Sequence, residues 1–232
     1  MSSETGKTLL EIYEALRASY GPQHWWPGES RTEVAVGAIL TQNTNWRNVE
    51  KAIAALRAAG CLDWEALRAV ELPRLAELIR PAGYYNIKAK RLKHFVDWLW
   101  REHDGDFEGL AAWSAEELRV ELLGINGIGP ETADSILLYA LDQPTFVVDA
   151  YTARMARRHG LIDDEAGYYE LQALFEENLP VDLAMFNEYH ALIVAVGKAH
   201  CRPRARCEGC PLERFDHDVG PDESNASEGE RA

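Results

Sequence analysis

At 232 residues, 47% of them hydrophobic and few in proline-rich or repetitive stretches, the chain is long enough to bury a substantial core, which excludes a fibrous or wholly disordered protein. No apolar stretch approaches the roughly 20 residues of a membrane span, and Met1 to Lys7 lacks the apolar core of a secretion signal, so a soluble, cytoplasmic protein is expected. The net charge of −14 excludes a broad basic face for nucleic acid; any phosphate contact has to be local, made by backbone amides and a few Arg and Lys side chains.

In chain order, apolar residues recur at three and four positions and no run of strict β-type alternation occurs, which predicts an all-α fold. Leu9, Leu10, Ile12, Tyr13, Leu16 and Tyr20 mark a first amphipathic helix that Gly21-Pro22 stops, followed by a turn at Trp25-Trp26-Pro27-Gly28. A second helix spans about Thr32 to Leu40. Thr44 is placed to cap a third that ends at Gly60, and Pro73 suits the first turn of another. Pro81-Ala82-Gly83 then breaks the chain before a long helix through Lys90 and Trp98.

Ser114-Ala115-Glu116-Glu117 has the form of a capping box, opening a helix that runs to Leu123. Gly124-Ile125-Asn126-Gly127-Ile128-Gly129 joins it to a helix that starts at Pro130 and continues through Leu138 and Tyr139. Glycines there let consecutive amide N–H groups approach a phosphate with no side chain between, a mode of binding blind to base sequence; the same spacing also serves a tight turn and nothing more. After Phe146-Val147-Val148, Asp149 stands at a helix N-cap, and two further helices end near Ala199. Three of the four cysteines, Cys201, Cys207 and Cys210, crowd together, a pattern that in a reducing compartment favours metal ligation over disulfides. The last segment, Asp216 to Ala232, carries six acids against one base and reads as a disordered tail.

The stretches Leu123-Gly124-Ile125-Asn126-Gly127-Ile128-Gly129-Pro130-Glu131-Thr132-Ala133 and Val147-Val148-Asp149-Ala150-Tyr151-Thr152-Ala153-Arg154 resemble the endonuclease III superfamily of DNA glycosylases, which pair a helix-hairpin-helix with a Gly/Pro-rich stretch and a catalytic aspartate. The likeness includes Leu40-Thr41-Gln42-Asn43-Thr44 and Gly83-Tyr84-Tyr85-Asn86-Ile87-Lys88-Ala89-Lys90, and covers nearly everything except the tail. The resemblance implies two helical domains: residues 28–133 with the hairpin, and residues 1–27 plus 134–215 with the cysteine loop, the active site lying in the cleft between them. It implies a monomer acting on double-stranded DNA with damaged bases.

By the same resemblance Asp149 is the catalytic carboxylate. That role has its own logic, because breaking an N-glycosidic bond develops oxocarbenium character that a carboxylate stabilises while orienting or deprotonating water. Members that also nick the strand carry at position 131 a lysine that attacks the sugar; Glu131 cannot form that Schiff base, so water is the expected nucleophile. Trp25, Trp26, Pro27 and Trp46 resemble the base pocket of the bacterial 3-methyladenine DNA glycosylases of endonuclease III type, where aromatic faces attract a cationic alkylated purine. Gln42 resembles the residue that fills the gap left by a flipped base, with Gly127, Ile128 and Gly129 on phosphates and Tyr85, Lys88 and Lys90 toward the opposite strand.

Cys201-x5-Cys207-x2-Cys210 resembles the family's [4Fe-4S] loop, with Asp216 where the fourth cysteine belongs and His217 beside it. A [4Fe-4S] cluster completed by an oxygen or nitrogen ligand, a [3Fe-4S] cluster, zinc held with His217, and three unligated thiols all remain open at this level. The leading expectation is monofunctional excision of alkylated bases, chiefly 3-methyladenine. Its competitors are an endonuclease III-like glycosylase and lyase acting on oxidised pyrimidines, and a non-catalytic DNA-binding module using the hairpin alone.

Overall fold

A computed structural model describes residues 3–26 and 28–218; Pro27 and most of the acidic tail lie outside the described residues. Helices dominate them and no strand occurs among them, as the periodicity predicts. No helix among them is long and apolar enough to cross a membrane. The chain divides into two compact units, each with its own core.

One unit comprises residues 24–147 with 181–187. It contains α2 (Arg31–Thr41), α3 (Trp46–Ala58), α4 (Trp64–Ala69), α5 (Leu72–Leu78), α6 (Tyr85–His103), α7 (Ala115–Gly124) and α8 (Pro130–Ser135). Local chemistry sets most of their starts. Ser30 Oγ accepts from Glu33 N at 3.2 Å, Asp63 Oδ1 from Ala66 N at 2.8 Å, and Ser114 with Glu117 closes the expected capping box. The third helix is capped by Asn45, whose Oδ1 accepts from Asn48 N at 3.1 Å, and Thr44 supports it by accepting from Asn48 Nδ2 at 3.3 Å. Residues 34–40 of α2 are buried on every side, which makes α2 the central helix of this unit, packed on α3, α6 and α8. Each fully buried Ile or Leu there contributes on the order of 2 kcal/mol.

The helix that begins at Pro130 does not stay regular. After α8 the backbone widens into a π-helical turn at Ile136–Ala140, which adds a residue to the turn and rotates the side chains that follow. Beneath the hairpin, Asp134 is fully buried and takes Arg119 Nε at 2.6 Å and Nη2 at 2.9 Å, a bidentate pair that locks α8 to α7.

The other unit comprises residues 1–23, 148–180 and 188–232. Its described part holds α1 (Glu4–Tyr20), α9 (Ala150–Arg158), α10 (Tyr168–Glu176), most of α11 (Leu183–Ala199) and the cysteine loop. Leu9, Ile12, Tyr13 and Leu16 form the buried stripe of α1. Tyr189 of α11 is fully buried against that stripe, its ring 5.1 Å from Tyr13 and its hydroxyl donating to the Leu9 carbonyl at 2.8 Å. Burial pushes the Tyr189 phenol well above its usual range, so it stays a neutral donor.

Candidate active site and nucleic-acid interface

Asp149 caps α9 with one oxygen. Its Oδ1 accepts from Tyr151 N at 2.9 Å, Thr152 N at 2.8 Å and Thr152 Oγ1 at 3.0 Å, so the cap expected from sequence is present. Oδ2 lies 3.5 Å from Nε2 of His190, a buried residue of α11 in the same unit. Burial pushes the carboxyl upward, but the bonds from His190 and Thr152 outweigh it and hold Asp149 below the usual carboxylate value, so it is charged at neutral pH. Nothing in the sequence pointed to His190. The available signal was a lone imidazole in the otherwise apolar run from Tyr189 to Val194.

The hairpin glycines are not equivalent. Gly127 has φ +96°, and a Cβ there would fall 2.3 Å from Arg91 Cγ, so both backbone and space require glycine. Gly129 has an ordinary φ of −97° and caps α8, with open space around its Cα. Neither amide is engaged by a hydrogen bond within the described residues, which leaves both as donors at the mouth of the hairpin. Ile128 differs from expectation: its side chain is 5% exposed and its amide donates to the Ile125 carbonyl at 3.0 Å, closing the turn. It shapes the hairpin from inside, where phosphate does not reach.

Gln42 sits against this hairpin. Its Nε2 donates to the Gly127 carbonyl at 3.1 Å and to Thr132 Oγ1 at 2.8 Å, while Arg91 Nη1 donates to its Oε1. His94 Nδ1 meets the Asn126 carbonyl at 3.1 Å on the same side. Arg91 and His94 were missed by sequence reading, since basic residues on a helix read by default as solvated.

Lys88 is a correction to the phosphate contact expected of it. Only 1% exposed, its ammonium donates to the carbonyls of Leu40 at 2.9 Å and Ala82 at 2.7 Å, tying the end of α2 to the turn before α6. Burial, with the nearby Arg91 charge, lowers its pKa to about 8. Lys90 on the same helix is exposed and Tyr85 partly so. Tyr84 and Ile87 project beside them, 67% and 51% exposed.

The aromatic residues converge as a group. The Trp26 ring lies 5.0 Å from Trp46, 5.8 Å from Trp25 and 5.0 Å from Tyr139, around the bare backbone of Gly37. Tyr139 is an addition to the expected set, brought to Trp26 from within the π-helical turn. Glu131 is exposed in the first turn of α8.

Cys201, Cys207 and Cys210 line one cavity with about 350 Å³ free of protein atoms, part of it open to solvent. A tetrahedral zinc with Zn–S near 2.3 Å needs donors within about 4 Å of one another. Among the described residues no group of three His, Cys, Asp or Glu side chains is gathered closely enough to hold a metal ion. A polynuclear cluster separates its thiolates further, and three thiols on one cavity suit that donor chemistry. Asp216 is not among the residues lining the cavity and its carbonyl accepts from His159 Nδ1 at 2.9 Å, whereas His217 lines the wall. Arg158 approaches the Cys201 sulfur at 3.4 Å and pins the loop through the carbonyls of Arg202 and Pro203, both at 2.5 Å.

Residues 36–181 match the HhH-GPD superfamily of base excision DNA repair proteins. The chain is 51% identical, over 93% of its length and 98% of the relative's, to a protein of Methanocaldococcus jannaschii that bears the name of a DNA repair glycosylase. It is similar to the crystal structure of the 3-methyladenine DNA glycosylase of H. pylori bound to 1,N6-ethenoadenine: TM-score 0.74 and 28% identity, over 85% of this chain and 98% of that one. It also shares a fold with endonuclease III in a non-covalent DNA complex, at TM-score 0.78 and 19% identity over 93% and 96% of the two chains.

Proposed function

This chain belongs to the HhH-GPD superfamily of DNA repair glycosylases, and we propose that within it the protein is a monofunctional N-glycosylase that releases alkylated bases, 3-methyladenine foremost, from double-stranded DNA. The observation that carries the reading is Asp149: a carboxylate held charged, with one oxygen fixed by the helix it caps and the other outside that cap. As the bond from C1′ to the base nitrogen breaks, the electron pair leaves with the base and C1′ becomes electron-poor. The Asp149 charge stabilises that centre and accepts the proton of the water that adds to it.

Two features support the substrate and the outcome. A 3-methylated adenine is cationic and leaves without acid assistance, so it needs an aromatic surface more than a proton donor; Trp25, Trp26, Trp46 and Tyr139 supply one. Glu131 has no amine to form an imine, which favours an abasic product over a nicked strand. Backbone recognition is assigned to the amides of Gly127 and Gly129, with Gln42, Lys90 and Arg91 close to the duplex.

The test incubates purified protein with separate duplexes carrying methylated purines, thymine glycol and uracil, identifies the free base, and adds borohydride to a parallel set. Free 3-methyladenine with no trapped covalent adduct is the expected result. Release of oxidised pyrimidine with borohydride trapping replaces the proposal with an endonuclease III-like lyase. Binding without release of any base reduces the protein to a DNA-binding module.

For the cysteine loop we propose an iron–sulfur cluster on Cys201, Cys207 and Cys210 with His217 as the fourth ligand, a group whose role is to fix the loop rather than to take part in hydrolysis. Anaerobically reconstituted protein is expected to bind about four irons per chain. His217→Ala is then expected to give a three-iron species seen by electron paramagnetic resonance, while Asp216→Ala leaves iron content and spectrum unchanged. The reverse pattern returns the ligand role to Asp216, and iron-free protein after reconstitution removes the cluster.

A further inference from the structure

An aspartate that only caps a helix uses one carboxylate oxygen, and here Oδ1 meets that need with three donors. Oδ2 is directed away from the cap toward His190 Nε2, 3.5 Å away. His190 is 5% exposed on α11, among Tyr189, Ala191, Leu192 and Ile193, all buried. Placing an imidazole at such a position carries a desolvation cost that an aliphatic side chain avoids. What the imidazole adds is a ring nitrogen, Nε2, 3.5 Å from the second oxygen of a buried carboxylate, the long separation common for catalytic hydrogen bonds before substrate binds.

We infer that His190 is a positioning residue for glycosidic hydrolysis: with its proton on Nε2, it holds the plane of the Asp149 carboxylate so that the charge is already oriented when the sugar becomes electron-poor. This inference rests on the reading of Asp149 as the carboxylate that serves hydrolysis. In this scheme His190 touches neither base nor sugar and acts through Asp149.

Two variants separate positioning from packing. Leucine fills similar volume without a donor, and glutamine restores an N–H at comparable reach. Single-turnover release of 3-methyladenine from a methylated duplex is measured at saturating protein, alongside the Kd for an abasic duplex, in otherwise wild-type protein and in an Asp149→Asn background. His190→Leu is expected to slow release about tenfold or more while Kd stays within about twofold, since a misaligned group costs rate rather than binding. His190→Gln is expected to recover most of the rate, and His190→Leu to add no further loss on Asp149→Asn.

Wild-type speed in His190→Leu overturns the inference, as does His190→Gln slowing as far as leucine, or equal losses from leucine in both backgrounds. Nitrogen-15 spectra of histidine-labelled wild-type protein provide a readout that survives a misfolded variant: the proton is expected on Nε2, and a bare Nε2 refutes the assignment. Full-speed release by Asp149→Asn alone is a different failure, that of the functional reading itself.

Discussion

Asp149→Asn is expected to lower single-turnover release of 3-methyladenine by about 10³-fold while the protein folds and binds abasic duplex as before. The magnitude follows from removing one preorganised charge at a site of developing opposite charge, worth about 3–4 kcal/mol. The fold survives because asparagine caps helices about as well as aspartate, and its carbonyl oxygen can still accept from Tyr151 N and Thr152 N. Release is followed by chromatography of the free base, binding by fluorescence anisotropy, folding by thermal melting. The pH dependence of stability adds a signature. Because the folded pKa of Asp149 lies below its ordinary value of 3.8, its ionised form contributes stability that is fully present above that value and lost as pH falls through the folded value. The stability gap between wild type and Asp149→Asn is therefore constant near neutrality and closes only in acid below 3.8. A variant that folds, binds and releases base at the wild-type rate removes the mechanism.

Gly127→Ala is expected to weaken binding to damaged and undamaged duplex alike, by about tenfold to a hundredfold. A side chain at φ +96° strains the backbone by about 1–3 kcal/mol, and its Cβ meets the Arg91 stem at 2.3 Å. Arg91 cannot yield without letting go of Gln42, and Gln42 in turn holds the Gly127 carbonyl and Thr132. The substitution thus disturbs the amides of the hairpin and the side chain beside it together. Because neutral amides neutralise no phosphate charge and so displace no counterions from the DNA, the slope of log K against log salt is expected to stay as in wild type even as affinity falls. Anisotropy titrations at several salt concentrations check both statements. Undiminished binding to both duplexes takes the hairpin out of the interface.

What could be read from sequence was what is decided locally. Ser114 with Glu117, Pro130 after the glycines and Asp149 before α9 announce themselves because a cap or a turn needs one residue type at one spacing. What escaped depends on partners far along the chain. His190 meets Asp149 across 41 positions; Lys88 is buried because two carbonyls, one of them 48 residues away, await it. Tyr139 joins the tryptophans through a π-helical turn that a regular period cannot show. Asp216 and His217 are neighbours in sequence, and only the path of the loop decides which of them faces the thiols.

The Lys88 tether has a consequence for how this unit presents itself to a duplex. One nitrogen fixes the spacing between two corners of the same unit, the loop that follows α2 with Gln42 on it and the exposed rim of Tyr84 and Ile87. Loss of its charge near pH 8 does not release them, since a neutral amine keeps two hydrogens for two carbonyls. The gap between these corners is thus set like that of a calliper before any strand arrives, and alkaline conditions leave the setting untouched.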